Sequence, residues 1–172
     1  HLQLQSPRLI MMGTLGKAAG VAGAFVAGQQ IVIDYLIQHA NSYIYTTPAP
    51  PPLSAALLAS VHEIEHGDAR RTQLFDMIAL LKRELKLTRW HLLPSETAIQ
   101  PLVVGDTHEA LALSQYLQAR GLLVPAIRPP TVPVNTSRLR ISLSAAHREA
   151  DVRRLVQALH EAEREIPAGA QA

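Results

Sequence analysis

The sequence predicts an α/β protein made of three consecutive parts: the end of a large sheet-containing domain over residues 1–52, connecting helices over 53–94, and a small α+β domain over 95–172. Two short apolar runs around a glycine-rich turn predict the strands of the first part. Apolar residues at helical spacing predict the helices of the second part. The third part follows the order strand, helix, strand, strand, helix, which is typical of a small α+β domain.

The composition is that of a globular protein able to bury a core, with 172 residues, 48% hydrophobic and 17% charged. A formal net charge of +2 and only 4% aromatic residues argue against a nucleic-acid partner. The absence of cysteine excludes disulfides, thiol catalysis and cysteine-ligated zinc. Lys17 interrupts the best candidate for a membrane span, so none is predicted. Because the sequence opens at His1 on an apolar run, we expect it to be part of a longer polypeptide.

The first part is predicted to contain two buried strands, a helix and an extended segment. Leu9–Met12 and Val21–Ala27 are apolar runs of strand length. Gln29–Asn41 has apolar residues at helical spacing and predicts a helix. Residues 42–52 are predicted to be extended, because consecutive prolines are incompatible with a helix interior.

Lys17 is the strongest candidate in the first part for a catalytic or cofactor-binding residue, because it lies among glycines and alanines between the two apolar runs. Apolar surroundings remove hydration from a charged ammonium and favour the neutral amine, the form that condenses with an aldehyde. Thr14 could offer its hydroxyl and N–H to a phosphate. A glycine-rich turn whose lysine faces water explains the same residues, and the local sequence leaves both interpretations open.

The connecting helices are predicted from two apolar stripes. The first, Leu53–Ile64, is predicted to end at Gly67, a residue suited to terminating a helix. The second, Leu74–Leu85, is either a separate helix or the continuation of the first.

The small domain is predicted from alternating strand and helix patterns. Pro101 places the first strand at a sheet edge, because proline lacks the N–H of a central strand. Gly121 is predicted to end the following helix. In order, the predicted elements are strand Ile99–Val104, helix Thr107–Arg120, strand Leu122–Ile127, strand Arg138–Leu143, an amphipathic helix carrying Val152, Leu155, Val156 and Leu159, and a frayed tail over Ile166–Ala172.

Two arginines of the small domain are candidates for binding a carboxylate. Arg128 precedes the stiff turn Pro129–Pro133, which contains Thr131 and would pre-organise the guanidinium. Arg140 alternates with apolar residues in its strand, so it shares with Arg138 the face opposite the core. An ordinary turn and an exposed arginine pair explain these residues as well, and the local sequence does not separate the alternatives.

Two motif matches are interpreted as coincidental. His62–His66 matches H-E-x-x-H, a zinc-protease motif, and also its reversed form. No third ligand lies at a characteristic spacing, so the segment is interpreted as a solvated helix end and no metal site is predicted. Gly13–Lys17 is too short for a nucleotide phosphate loop, and Ala18 stands where that loop needs Ser or Thr.

Taken together, several stretches resemble the C-terminal half of the α-oxoamine synthases, a family of pyridoxal 5′-phosphate (PLP) enzymes with the aspartate-aminotransferase fold (fold type I). The likeness runs from about Pro7 to about Leu159, and Ala126–Pro133 is its most specific part. The stretches that carry it are Gly13–Gly20, Tyr43–Thr47, Gly67–Arg71, Ala98–Asp106, Ala126–Pro133 and Ser137–His147.

The resemblance implies roles for four residues toward the cofactor. Lys17 would bind PLP covalently and later move the substrate proton, and Thr14 would bind the cofactor. Thr46 and Thr47 would reach the phosphate of the neighbouring subunit's PLP, which implies a homodimer with a shared site. On the substrate side, Thr131 would contact substrate and Arg140 would hold the amino-acid carboxylate, with Arg128 placed in the same substrate-binding set.

The implied reaction is the decarboxylative condensation of L-alanine with a pimeloyl thioester, carried on coenzyme A or a carrier protein, in the cytoplasm. Two alternatives stay open: a sister α-oxoamine synthase that uses glycine or serine, such as 5-aminolevulinate synthase, and a non-catalytic module of the same fold. The family places its glycine-rich loop, stacking histidine and pyridine-facing aspartate upstream of the lysine. We therefore expect residues 1–172 to be inactive alone.

Overall fold

The computed structural model describes residues 4–167 and divides into two units, the first ending at Gly67 and the second beginning at Asp68. The elements of the first unit are β1 (Met11–Thr14), β2 (Ala24–Ala27), α1 (Gln30–His39), α2 (Asn41–Ile44) and α3 (Pro51–Glu65). Those of the second are α4 (Asp68–Glu84), β3 (His91–Leu92), β4 (Ile99–Gly105), α5 (Thr107–Ala119), β5 (Ala126–Ile127), β6 (Ser137–Ser142) and α6 (Glu149–Glu165).

The two strands of the first unit lie at Met11–Thr14 and Ala24–Ala27 instead of the predicted Leu9–Met12 and Val21–Ala27. They pair as an antiparallel hairpin, with Met11 opposite Ala27 and Thr14 opposite Ala24. The expectation that they are buried is wrong within this unit. Both strands are largely exposed, and among the described residues up to Gly67 only Ala19 is a buried apolar side chain. A hairpin of two strands lacks the second layer that a buried apolar face requires.

The helices of the first unit correct the expectations for the proline-rich segment. Helix α1 confirms the predicted helix, but residues 42–44 form helix α2 instead of extended chain. Helix α3 begins with Pro51 and Pro52 in its first turn. Proline is tolerated there because the first N–H groups of a helix have no intrahelical acceptor. Consecutive prolines therefore start this helix instead of excluding it.

The second unit is a four-stranded antiparallel sheet in the order β3-β4-β6-β5, with helices packed against it. The predicted order of strand, helix, strand, strand and helix is confirmed, while the short strand β3 was not predicted. The predicted strand over 122–127 is reduced to Ala126–Ile127. Helix α4 begins at Asp68, after a break from α3, so the two apolar stripes are separate helices.

The expectation that Pro101 marks a sheet edge is wrong, because β4 lies between β3 and β6. The carbonyl of Pro101 accepts the N–H of Leu93, at 2.9 Å, just beyond the end of β3. The N and O atoms of one strand residue point to the same side. The missing N–H of Pro101 therefore faces the end of the short strand β3 and leaves the pairing with β6 intact.

The core of the second unit lies between one face of the sheet and its helices. Leu139 and Ile141 of β6 are buried, and Arg140 between them is exposed, so the predicted alternation is confirmed. Asp106 caps α5 by accepting the N–H of Glu109, and Gly121, with φ of +74°, follows its end. The residues that were predicted to form the apolar stripe of the last helix are all buried: Val152, Leu155, Val156 and Leu159.

A polar network joins α5 and α6 to the segment before β3. The Glu109 carboxylate bonds the Arg89 guanidinium and the Trp90 indole N–H. Arg89 also donates to the carbonyl oxygens of Glu163 and Ile166. Ile166 thus belongs to the packed unit, whereas residues 168–172 of the predicted tail lie outside the described range. No helix among residues 4–167 combines the length and the apolar character that crossing a membrane requires.

Candidate active site

Lys17 lies in a turn that connects the strands of the hairpin. Its carbonyl accepts the N–H of Gly20, at 2.9 Å, and Leu15 closes the base of the loop through bonds with Val21 and Gly23. The Lys17 side chain is exposed. The first unit therefore does not desolvate Lys17 as its apolar sequence neighbours predicted, because the strands on either side of the turn are themselves exposed.

The turn nonetheless fits an aldehyde cofactor that condenses with an amine. Lys17 forms no ion pair with any residue in the described range 4–167, so no carboxylate holds its ammonium. The neighbouring backbone is open: a Cβ atom placed on Gly20 would meet nothing within 4 Å. Thr14, three residues earlier at the end of β1, is also exposed. A reachable amine beside small residues is what covalent cofactor binding requires.

Thr46 and Thr47 follow α2 and precede the proline run that leads into α3. Both are exposed, and neither hydroxyl bonds to another residue within the described part of the chain. These hydroxyls are therefore available to a ligand.

Arg140 and Arg138 lie on the same face of β6 but differ in their contacts. Arg138 donates from Nε to the Thr136 carbonyl, at 3.0 Å, and from Nη2 to the Thr136 hydroxyl, at 3.1 Å. The Arg140 side chain is exposed and forms no hydrogen bond or ion pair among residues 4–167. Its backbone N–H donates to the Pro125 carbonyl, at 2.9 Å. The Arg138 guanidinium is thus already bonded to Thr136, just before β6, while the Arg140 guanidinium can bind a ligand.

Arg128 and Thr131 lie in the turn directly after β5. The N–H of Thr131 donates to the carbonyl of Arg128, at 3.1 Å, and both side chains are exposed. Since β5 pairs with β6 through Ile127 opposite Arg138, the turn adjoins the strand of Arg140. The second unit therefore brings the three substrate-side candidates to neighbouring segments, while the four cofactor-side candidates all belong to the first unit.

The His62–His66 segment ends helix α3. The two imidazole rings lie 4.2 Å apart, and the His66 Nδ1 atom lies 2.9 Å from the carbonyl oxygen of His62. Within residues 4–167, no group of three or more His, Asp or Glu side chains could hold a metal ion.

Sequence reasoning missed one contact of the lysine turn. The Ser60 hydroxyl, on α3, donates to the Ala19 carbonyl at 2.6 Å, across 41 positions of sequence. No local sequence pattern identifies such a long-range bond.

Comparisons with known proteins identify the class. Residues 3–159 match the family described as aminotransferase class I and II. The chain belongs to this family, so the family resemblance and the α/β fold class predicted from the sequence are confirmed.

The particular relatives are more informative. Over 160 residues the chain is 61% identical to 8-amino-7-oxononanoate synthase of Aromatoleum aromaticum, covering 93% of this chain and 42% of the relative. A solved 8-amino-7-oxononanoate synthase from Francisella tularensis is 28% identical, with a TM-score of 0.74 over 92% of this chain and 45% of that one. A serine palmitoyltransferase variant from S. paucimobilis, with PLP and myriocin bound, is 27% identical, with a TM-score of 0.79 over 90% and 39%. The chain thus spans less than half the length of each.

Proposed function

We propose that the full-length protein containing this chain is a PLP-dependent 8-amino-7-oxononanoate synthase, which condenses L-alanine with a pimeloyl thioester and releases carbon dioxide in biotin biosynthesis. The observation that carries the proposal is the 61% identity, over 93% of the chain, to a curated relative of that name. The Ala126–Pro133 stretch, the most specific part of the family resemblance, favours the alanine-using reaction over a sister that uses glycine or serine.

Lys17 would hold the cofactor through a covalent bond from its ε-amino nitrogen. Its lack of a carboxylate partner within the described range and the open backbone at Gly20 support this role. PLP, when bound, supplies an electron sink that stabilises negative charge at the amino-acid α-carbon. The Lys17 side chain would also be the group that takes the proton from that carbon. The hydrogen-bonded turn would hold the Lys17 backbone in a fixed position relative to the substrate, and such fixed orientation makes a proton transfer efficient.

Three hydroxyl groups would bind the cofactor besides Lys17. Thr14 is the last residue of β1, three positions before Lys17, and its side chain is exposed. Thr46 and Thr47 would donate to the phosphate of the PLP in a second subunit. A homodimer with a shared site follows from that assignment.

Arg140 would bind the carboxylate of L-alanine. Its guanidinium is available, and a planar fork of donors matches a carboxylate in a bidentate arrangement. Thr131 and Arg128, on the adjoining turn, would complete the contacts to substrate. The acyl group would arrive as a thioester of coenzyme A or of a carrier protein.

Covalent labelling tests the proposal directly. Full-length protein incubated with PLP and reduced with borohydride should carry the label on Lys17 when its peptides are mapped, and the Lys17→Ala variant should carry none there. Product formation should require L-alanine, with glycine and serine as matched alternatives. An unlabelled Lys17 would support a non-catalytic module, while turnover with glycine or serine in place of alanine would indicate a sister enzyme. Residues 1–172 alone should form no product.

A further inference from the structure

Ser60 makes a contact that a helical serine does not ordinarily make. Serine side chains within helices face solvent or bond the carbonyl four residues earlier. The hydroxyl of Ser60 has one proton to donate, and it donates it to the carbonyl of Ala19, 2.6 Å away in the lysine turn. The bond is partly buried, and Ala19, 8% exposed, is the buried point of that turn.

The bonded carbonyl belongs to a peptide group that also holds Lys17. The peptide between Ala19 and Gly20 accepts from Ser60 through its oxygen and donates through its N–H to the carbonyl of Lys17, at 2.9 Å. A continuous chain of two hydrogen bonds therefore runs from helix α3 to the backbone of the lysine. Hydrogen bonds in such a chain polarise and strengthen each other.

Packing alone does not fix the orientation of this peptide. Gly20 has φ of +63°, and a Cβ atom there would meet nothing within 4 Å. Glycine also reaches conformations on both sides of the Ramachandran map at little cost. The hydrogen bond from Ser60 is thus the restraint from outside the hairpin that selects one orientation of the Ala19–Gly20 peptide.

We propose that Ser60 is a positioning residue for Lys17: through the Ala19–Gly20 peptide it fixes the direction from which the ε-amino group approaches the cofactor. This proposal rests on the proposed role of Lys17. Removing the hydroxyl leaves the bond from the Gly20 N–H to the Lys17 carbonyl as the hydrogen bond that holds this peptide, so the peptide and the lysine backbone can shift together. The amine then spends less time in line with the α-proton that it removes, which lowers kcat, whereas the binding of alanine through Arg140 is unaffected.

The test compares Ser60→Ala with Ser54→Ala in the PLP-loaded full-length protein. Ser54 is exposed on the same helix and forms no hydrogen bond through its side chain within the described range, so the second variant makes the same chemical change without the contact. For Ser60→Ala we expect kcat to fall about 3- to 10-fold, the usual effect of one lost hydrogen bond, at unchanged KM for L-alanine. The pH midpoint of the visible absorbance of the bound cofactor should also move, because a displaced Lys17 nitrogen lies in different surroundings. Ser54→Ala should match the parent, and Ser60→Thr, which keeps a hydroxyl, should restore most of both values.

Circular dichroism melting of each variant separates positioning from folding. If Ser60→Ala does not fold, Ser60→Cys replaces it, because a thiol has nearly the same shape but is a weak donor. A Ser60 variant with a lowered melting temperature, but with the kcat and the pH midpoint of the parent, would overturn the proposal and leave Ser60 a structural residue. Failure of the parent protein to label at Lys17 would instead refute the proposed function, so the two failures are distinguishable.

Discussion

Replacing Arg140 with alanine should weaken the binding of L-alanine and leave the fold nearly unchanged. The Arg140 side chain makes no hydrogen bond or ion pair in the described range, and its strand contact runs through the backbone N–H, which alanine keeps. A surface substitution of this kind changes the free energy of unfolding by less than about 0.5 kcal/mol. The structure therefore predicts that any large effect is on the ligand.

In the full-length protein the proposed site would shield the pair of Arg140 and the alanine carboxylate from water, and losing one partner of such a pair costs about 2 to 5 kcal/mol. At about 1.4 kcal/mol per factor of ten, this is a rise of roughly 30- to 5,000-fold in KM for L-alanine. Arg140→Lys should lie between the parent and the alanine variant, because lysine keeps the charge but loses the bidentate fork. Steady-state kinetics with varied L-alanine at saturating acyl thioester measures the change in the full-length protein.

Arg138→Ala is the matched control on the same face of β6. It removes two hydrogen bonds to Thr136, so it should lower the free energy of unfolding by about 1 to 2 kcal/mol without changing the KM for L-alanine. The two variants should thus have opposite profiles, one impaired in binding and the other in stability. An unchanged KM for Arg140→Ala, or an equal rise in both variants, would remove Arg140 from the proposed carboxylate site.

Three further outcomes are expected. Leu139 of β6 is 0% exposed, so Leu139→Ala should lower the free energy of unfolding by roughly 3 to 5 kcal/mol in urea titrations. The control is Leu123→Ala, at a side chain that is 85% exposed, which should change the free energy of unfolding by less than about 0.5 kcal/mol. The backbone N–H of Arg148 donates to the Asp151 carboxylate and lowers the pKa of that carboxyl below the ordinary 3.8. The ionised Asp151 therefore stabilises the fold fully above pH 3.8. This stabilisation is lost as the pH falls through the lower pKa of the folded state. Asp151→Asn should therefore flatten the acid limb of a stability-against-pH curve, and an acid limb identical to the parent's would contradict the assignment. Lys17→Ala should abolish borohydride labelling at that position while the melting temperature stays within about 2 °C, because an exposed side chain is lost.

The second unit shows how far local patterns reach. The alternation of Leu139, Arg140 and Ile141 predicted which face of β6 is buried, because successive strand residues point to opposite sides. The sequence also predicted the apolar stripe of α6 and the glycine that follows the end of α5, and the structure contains both. In each case the signal lies within a few residues of the feature that it predicts.

The errors came from features that depend on distant chain. Pro101 looked like an edge residue, yet it lies in β4 between two strands, because β3 ends where the missing N–H would need a partner. The proline run looked like a helix breaker, yet Pro51 and Pro52 occupy the one turn of a helix that does not need their N–H groups. Neither the length of a neighbouring strand nor the start of a helix can be read from the proline itself.

The sequence by itself determined the family, the lysine turn and the order of elements in the second unit, because each depends on residues adjacent along the chain. Only the tertiary structure decided that Pro101 lies in a strand between two others, and that Ser60 bonds the turn of Lys17 across 41 positions. These distinctions depend on which polar groups meet in space. A side chain's hydrogen-bond partner is chosen by packing, and local sequence does not encode it.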